Sequence, residues 1–278
     1  MPDALRSMTF AEYRAIDAVN WSSLREMRRS PAHYRYRLDH PREDSTTLAL
    51  GRAVHAAVFE PDRLPLEFAV WKGARRAGKA WDAFRAVHGD DTILKASEYE
   101  RCLAIRDAVR AHPTAARYLR AGRAERALTW TDRATGLRCK GRLDFLSDSV
   151  PALVDLKSTH DLSRLGALAA QLGYNAQLAF YLSGLRALGL AMPARIVAVE
   201  VEPPHVVQVL ALHDDDLYDG EQECARLLSQ VAECTARRSW PAGPGDEQVL
   251  AFPAWARCRL EDDDLAGVDL VAGAAVGA

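Results

Sequence analysis

The stretch that most constrains this chain runs from Arg138 to His160, RCKGRLDFLSDSVPALVDLKSTH. It reads as two strands joined by a turn. Asp144 falls near the end of the first strand, and Asp155 and Lys157 fall in the second, among Ala152, Leu153, Val154 and Leu156. Strand side chains alternate between faces, so Asp155 and Lys157 share one face with Leu153 while Leu156 points to the other. A strand that is apolar on both faces is buried on both sides, here with two charges embedded in it. An unpaired buried carboxylate costs on the order of several kcal/mol, so these groups need an ionic partner or a metal. Two carboxylates and a lysine at this spacing suit a hard divalent cation such as Mg²⁺ beside a nucleophilic water. The lysine would orient that water or stabilise negative charge developing on a phosphate. The plain alternative is a strand-surface ion pair between Asp155 and Lys157, with Asp144 on a turn. D-x-K alone favours that alternative, because so short a pattern recurs by chance.

Composition bears on this in three ways. The chain has 278 residues, of which 49% are hydrophobic, ample for one large core with appendages. Its net charge of −2 gives no global nucleic-acid signal, so any such argument rests on how charge is distributed. Lysine is scarce beside arginine and occurs only at Lys72, Lys79, Lys95, Lys140 and Lys157; against that background a lysine at 157 stands out. Cys102, Cys139, Cys224, Cys234 and Cys258 are odd in number, scattered and without a C-x-x-C. That pattern argues against a disulfide scaffold and against zinc or iron–sulfur sites. No apolar run reaches membrane length and the N-terminus lacks a signal-peptide pattern, so a reduced, cytoplasmic protein with no membrane partner is expected.

Along the chain, residues 1–20 read as a polar lead-in. Asn20 caps a helix that Pro31 divides into two. Arg25, Arg28, Arg29, Arg35 and Arg37, with Tyr34 and Tyr36 interleaved, make this either a solvated face or a phosphate-contacting element. Thr46 or Thr47 caps the next helix, LALGRAVHAAVFEP, on which Gly51 and His55 stack on one face. The glycine is expected to let another element approach. The histidine alone is a core residue or a ligand. Residues 62–95 carry Lys72, Arg75, Arg76, Lys79 and Arg85 with Trp71 and Trp81 in a loop before a short helix. They form an exposed linker or an arch that guides a nucleic-acid strand by charge and stacking. Residues 96–120 read as one amphipathic helix, with Leu103, Ile105, Val109 and Leu119 inward.

Glu125 to Thr131 opens the sheet, and Asp132 to Gly136 is a hairpin turn. Glu125 is read as a strand-edge residue in preference to a further site carboxylate, and Gly141 as a close approach to a ligand. Leu162 to Leu190 is the longest helical pattern, with Tyr174, Gln177 and Tyr181 on one face and Leu178, Phe180, Leu182 and Leu185 toward the core. Arg195–Val201 and Val206–Leu212 form an antiparallel pair around Pro203-Pro204, and Asp214 to Ala236 forms a helix. Residues 239–278 hold Trp240, Trp255 and an acidic run at 261–264, with a weakly packed end. The expected organisation is one domain over 1–278: a basic helical arm (1–47), a catalytic core (48–240) and a C-terminal extension (241–278).

Gly51-x-x-x-His55, Gly141-Arg142-Leu143-Asp144, Asp155-Leu156-Lys157 and Gln177-x-x-x-Tyr181 resemble, in order, the motifs of PD-(D/E)XK nucleases of the RecB/RecE type. The likeness is nearest to the exodeoxyribonuclease VIII (RecE) family of phage and prophage recombination, and covers about residues 20–240. It implies an α/β restriction-endonuclease-like core, a central mixed sheet flanked by helices. It implies that His55, Asp144, Asp155 and the Leu156 carbonyl hold one or two Mg²⁺ or Mn²⁺ ions. Asp144, Asp155 and Lys157 would then do the chemistry, and Gln177 and Tyr181 would orient the scissile strand. Arg28, Arg29, Arg52, Lys72, Arg75, Arg76, Lys79, Arg142 and Tyr174 form the expected DNA-binding set. The implied activity is 5′ to 3′ digestion of linear duplex DNA, leaving 3′ overhangs for a single-strand annealing protein, by a ring-shaped homo-oligomer. Alternatives are a Cas4-like or other RecB-type nuclease without an iron–sulfur cluster, and a non-catalytic DNA-binding or assembly subunit.

Overall fold

The apolar run Ala152–Leu156 lies in the interior of a six-stranded sheet, its side chains divided between two cores. The computed structural model describes residues 5–41, 46–89, 92–243, 245 and 247–252. In chain order the elements are β1 (Leu5–Ser7), α1 (Phe10–Ala15), α2 (Trp21–Leu24), α3 (Pro31–Asp39), α4 (Thr46–Phe59), α5 (Leu64–Glu67), β2 (Ala69–Trp71), α6 (Lys79–His88), β3 (Ile93–Lys95), α7 (Ala96–Ala111), α8 (Pro113–Leu119), β4 (Gly122–Thr131), β5 (Arg138–Ser147), β6 (Ala152–Thr159), α9 (Leu165–Leu172), α10 (Tyr174–Ala187), β7 (Ala194–Glu200), β8 (Val207–Leu210) and α11 (Asp214–Arg237).

The sheet runs β1-β4-β5-β6-β7-β8. All neighbours are antiparallel except β6 and β7, whose parallel pairing requires the crossover that α9 and α10 supply. One face packs Leu128, Leu143, Leu153, Leu178 and Phe180 with α10 and α11. The other packs Val154, Leu156, Val197 and Val199 against Ala53, Ala57, Ile105 and Val109 of α4 and α7. The expected α/β core, a mixed sheet between helical layers, is therefore what forms. The side chain of Phe180 is fully buried, and a residue of that kind contributes about 3–5 kcal/mol against truncation to alanine.

Local sequence accounts for most boundaries. Asn20 Oδ1 accepts from Ser23 N at 2.9 Å, and Ser30 caps α3 with Pro31 in its first turn. The expected cap of α4 lies outside the described residues. Several expectations change. The polar lead-in carries elements that the sequence reading did not place: β1 pairs with β4. At the C-terminal end of α1, the buried Lys140 ammonium donates to the carbonyls of Tyr13, Arg14 and Ile16 at 3.0, 3.2 and 2.6 Å. The single helix expected over 96–120 is two, because Pro113 cannot continue α7. Leu162–Leu190 also breaks, at Gly173, whose φ of 69° is left-handed. The longest helix is therefore α11. β2 and β3 form a small parallel pair that the sequence reading missed; strands this short show no alternation.

Met1–Ala242 and Gly243–Ala278 are two separate compact units. In the first, Trp240 stacks on Tyr34 with ring centroids 5.4 Å apart. In the second, no helix or strand occurs among the described residues; Trp255, Cys258 and the acidic run lie outside them. No helix among the described residues is long and apolar enough to cross a membrane.

Candidate active site

Two irregularities in the sheet build the site. The first is a fork. β5 and β6 pair at Ser147↔Ala152, Leu146↔Leu153 and Phe145↔Val154, and the recorded ladder stops there. Past that point Asp144 fills the gap: its Oδ2 accepts from the Leu156 N–H at 2.8 Å. The second is a kink. Glu125, in the middle of β4, has φ of 48°, a left-handed conformation that costs a non-glycine residue about 1–3 kcal/mol. It sits between the pairs Ala124↔Phe145 and Arg126↔Leu143, across from Asp144. On either side of it the strands exchange faces. Leu128, Trp130, Cys139 and Leu143 pack in one core, while Ala124 and Phe145, at positions of the same parity, pack in the other. Simple alternation would put them all on one face.

The kink turns Glu125 toward α4. His55 Nδ1 lies 3.9 Å from Glu125 Oε1 and 3.6 Å from Asp144 Oδ2. His55, Glu125 and Asp144 each offer a ligand atom, all within 4.8 Å of one another. Glu125 was thus misread as a strand-edge glutamate, and only its left-handed backbone makes it available. Its other oxygen accepts from Arg142 Nε at 2.6 Å.

Behind this group, Lys157 Nζ is 2.7 Å from Asp155 Oδ2, donates to Gln177 Oε1 at 3.0 Å, and sits 4.5 Å from the centroid of the Tyr174 ring. Gln177 Nε2 in turn donates to the Tyr181 hydroxyl at 3.3 Å. The structure therefore joins the strand carrying D-x-K to the helix carrying Q-x-x-x-Y. Gly141 serves this packing: a Cβ there would meet the Tyr181 ring at 2.9 Å. Gly51, expected to admit another element, faces open space.

Electrostatics mark the cluster as short of positive charge. Burial, and then repulsion from Asp155, push the Asp144 carboxyl up to about 8. Burial and Asp144 raise Glu125. Burial lowers His55, leaving a neutral imidazole fit to ligate, although 30% of its side-chain surface stays open. Burial works against the Lys157 ammonium, but Asp155 and Asp144 outweigh it and hold its pKa above the usual lysine value. Asp155 Oδ2 is buried with the Lys157 ammonium 2.7 Å away as its charged neighbour. A buried carboxylate oxygen with spare acceptor capacity, beside a carboxyl held protonated by its neighbours, is what a divalent cation would relieve. The residues present therefore fit such an ion, with His55, Glu125 and Asp144 as donors.

A cavity of about 640 Å³ opens beside the cluster, with His55, Glu125 and Arg142 in its wall. Residues 20–251 match the family model described as a PDDEXK-like domain of unknown function (DUF3799). The chain belongs to this PDDEXK-like family. A search of curated proteins finds no match. Among solved structures, the PDDEXK-like chain is similar to a crystal structure from Eubacterium rectale described as that of a candidate exonuclease. The TM-score is 0.59 at 17% identity, covering 95% of this chain and 100% of that one; the likeness is one of fold.

The expected DNA-binding residues of this PDDEXK-like chain divide into three groups. Arg28 is not a free cation: it holds Glu223 through Nε at 2.6 Å and Nη2 at 2.5 Å and covers the Trp21 ring, clamping the N-terminal helices to α11. Arg76 is tied to the Ile93 carbonyl and Glu98. Tyr174 is buried beneath Lys157. These three have partners within the protein that lie far away in sequence, which a sequence reading could not place. Arg142 is held by Glu125 at the cavity wall, and Arg52 lines the same cavity. Arg29, Lys72, Arg75 and Lys79 are exposed. Leu156 contributes its N–H to Asp144.

Proposed function

We propose that this chain is a metal-dependent deoxyribonuclease that hydrolyses phosphodiester bonds of linear duplex DNA from its ends. The observation that carries the reading is the juxtaposition of His55, Glu125 and Asp144 with the buried Asp155–Lys157 pair. A bound Mg²⁺ or Mn²⁺, one ion or two, would supply Lewis-acid polarisation of the phosphate and a water of lowered pKa. His55, Glu125 and Asp144 hold it, with Asp155 and the Leu156 carbonyl as further ligands. Lys157 orients the attacking water and offsets charge developing on the phosphate oxygens. Gln177 fixes the lysine, and with Tyr181 it positions the scissile strand. Exposed Arg29, Lys72, Arg75 and Lys79 contact the DNA backbone.

Polarity and context rest on the motif likeness to RecE-type exonucleases; the description of the E. rectale neighbour supports only the exonuclease reading. On that reading digestion runs 5′ to 3′ and leaves 3′ overhangs for a single-strand annealing partner in phage-type recombination. The enzyme would be a cytoplasmic, ring-shaped homo-oligomer. The test compares linear and covalently closed duplexes, each labelled on one strand, with Mg²⁺ or a chelator. The linear substrate should shorten from its 5′ ends only with metal, and circles should survive. Robust cutting of circles would overturn the exonuclease reading.

A further inference from the structure

The cavity beside the cluster has no role in the chemistry above, yet it shares His55 and Glu125 with the site. Resting on the nuclease reading, we propose that it is the subsite for the terminal nucleotide of the strand being cut, held unpaired with its base against Phe10. Four observations carry this. Its volume, about 640 Å³, lies within the ~300–1,000 Å³ of sites that enclose a small ligand, the scale of a nucleotide and too small for duplex. Its walls are mixed as a nucleotide requires: Leu48, Ala56, Phe68 and Phe10 offer apolar surface, and Arg52 and Arg142 offer cations. Phe10 is 40% exposed, with the Arg14 and Arg142 guanidinium groups 5.8 and 5.3 Å from its ring centroid; the part of the ring that they leave open is an aromatic surface of the kind worth about 1–3 kcal/mol per stacked base. Finally, beyond the C-terminus of α4 the lining turns acidic. Glu60 and Glu67 both pair with Arg63, leaving a net negative end that a continuing phosphate backbone would meet unfavourably. A strand that reaches the metal residues through this cavity therefore ends in it.

The position of Gly51 supplies the test. It lines the cavity and a Cβ there would meet no atom within 4 Å, so the Gly51→Leu side chain projects into the subsite one helical turn from His55, and Mn²⁺ binding is measured beside cleavage to separate a filled subsite from a disturbed ligand. Replacing a helical glycine also favours the helix. Gly51→Leu should melt no lower than wild type and bind Mn²⁺ unchanged. It should degrade linear DNA at least about a hundredfold more slowly and lose competitive inhibition by deoxyadenosine monophosphate. Phe10→Ala should weaken that inhibition about tenfold, corresponding to the loss of one stacked base. Mononucleotide binding in Mn²⁺ is measured separately by calorimetry. A wild type that binds no deoxyadenosine monophosphate, or a Gly51→Leu protein that cleaves within threefold of an active wild type, overturns the subsite. A wild type that binds the mononucleotide and cleaves no DNA overturns the nuclease reading and leaves the pocket standing.

Discussion

Lys157 makes more contacts to the site than any other cation in it: an ion pair to Asp155, a hydrogen bond to Gln177 and the face of Tyr174. Its side chain is only 15% exposed, which removes the bland reading of a surface pair worth about 0–1 kcal/mol. With its position fixed before substrate arrives, its proposed role is to act on charge that develops only during reaction. Lys157→Ala should therefore lower the single-turnover rate about a hundred- to a thousandfold and change DNA affinity far less. Lys157→Arg should rescue poorly, since a planar fork does not fit a site built around one ammonium. Quench-flow cleavage beside a binding titration checks both, and near-normal cleavage by the alanine variant would remove the lysine from the chemistry. The pair was legible in sequence because alternation places Asp155 and Lys157 together. Glu125 was not legible, because its role depends on a left-handed backbone in mid-strand that no propensity favours.

The fork between β5 and β6 sets the behaviour of Asp144. Its raised pKa links it to stability with a definite sign. The folded carboxyl titrates at about 8 and the unfolded one at its ordinary 3.8. Between these values the native state binds more protons than the unfolded state, so the metal-free fold loses stability as pH rises from about 4 to 8. Asn at 144 mimics the protonated acid and retains an acceptor for the Leu156 N–H. Metal-free Asp144→Asn should match wild type only below about pH 4, with the gap in its favour widening as pH rises to 8, while gaining little from Mn²⁺. Wild type should gain more from Mn²⁺ at pH 8 than at pH 6, because the cation displaces the proton. Parallel pH profiles of Tm for the two proteins would contradict this. At this scale sequence served unevenly. Pro113 and Gly173 carry their breaks visibly, but the amphipathic spacing on either side masked them. The strand exchange at Glu125 and Asp144 moves residues between cores without altering the alternating pattern.

For the whole molecule, the ordered motifs fall where a mixed sheet between helical layers brings them together: His55 from α4, Glu125, Asp144 and Asp155 from adjacent strands, and Gln177 from the crossover helix α10. Motif order was readable along the chain because each motif is local. Charge was less readable: Arg28 and Arg76 are bound by partners far away in sequence, and an arginine count cannot separate clamps from free cations. The central claim is that this convergence hydrolyses phosphodiesters with a divalent cation, Glu125 included. The direct measurement is single-turnover degradation of a linear duplex across an Mn²⁺ titration, by wild type and Glu125→Gln, with Mn²⁺ binding followed by electron paramagnetic resonance. Wild type should cleave only with metal, and Glu125→Gln should need at least about ten times more Mn²⁺ and cleave more slowly at saturation, a loss typical of groups that hold or orient a metal. A wild type that cleaves equally well in chelator, or a Glu125→Gln protein whose Mn²⁺ dependence and rate match wild type, would contradict it.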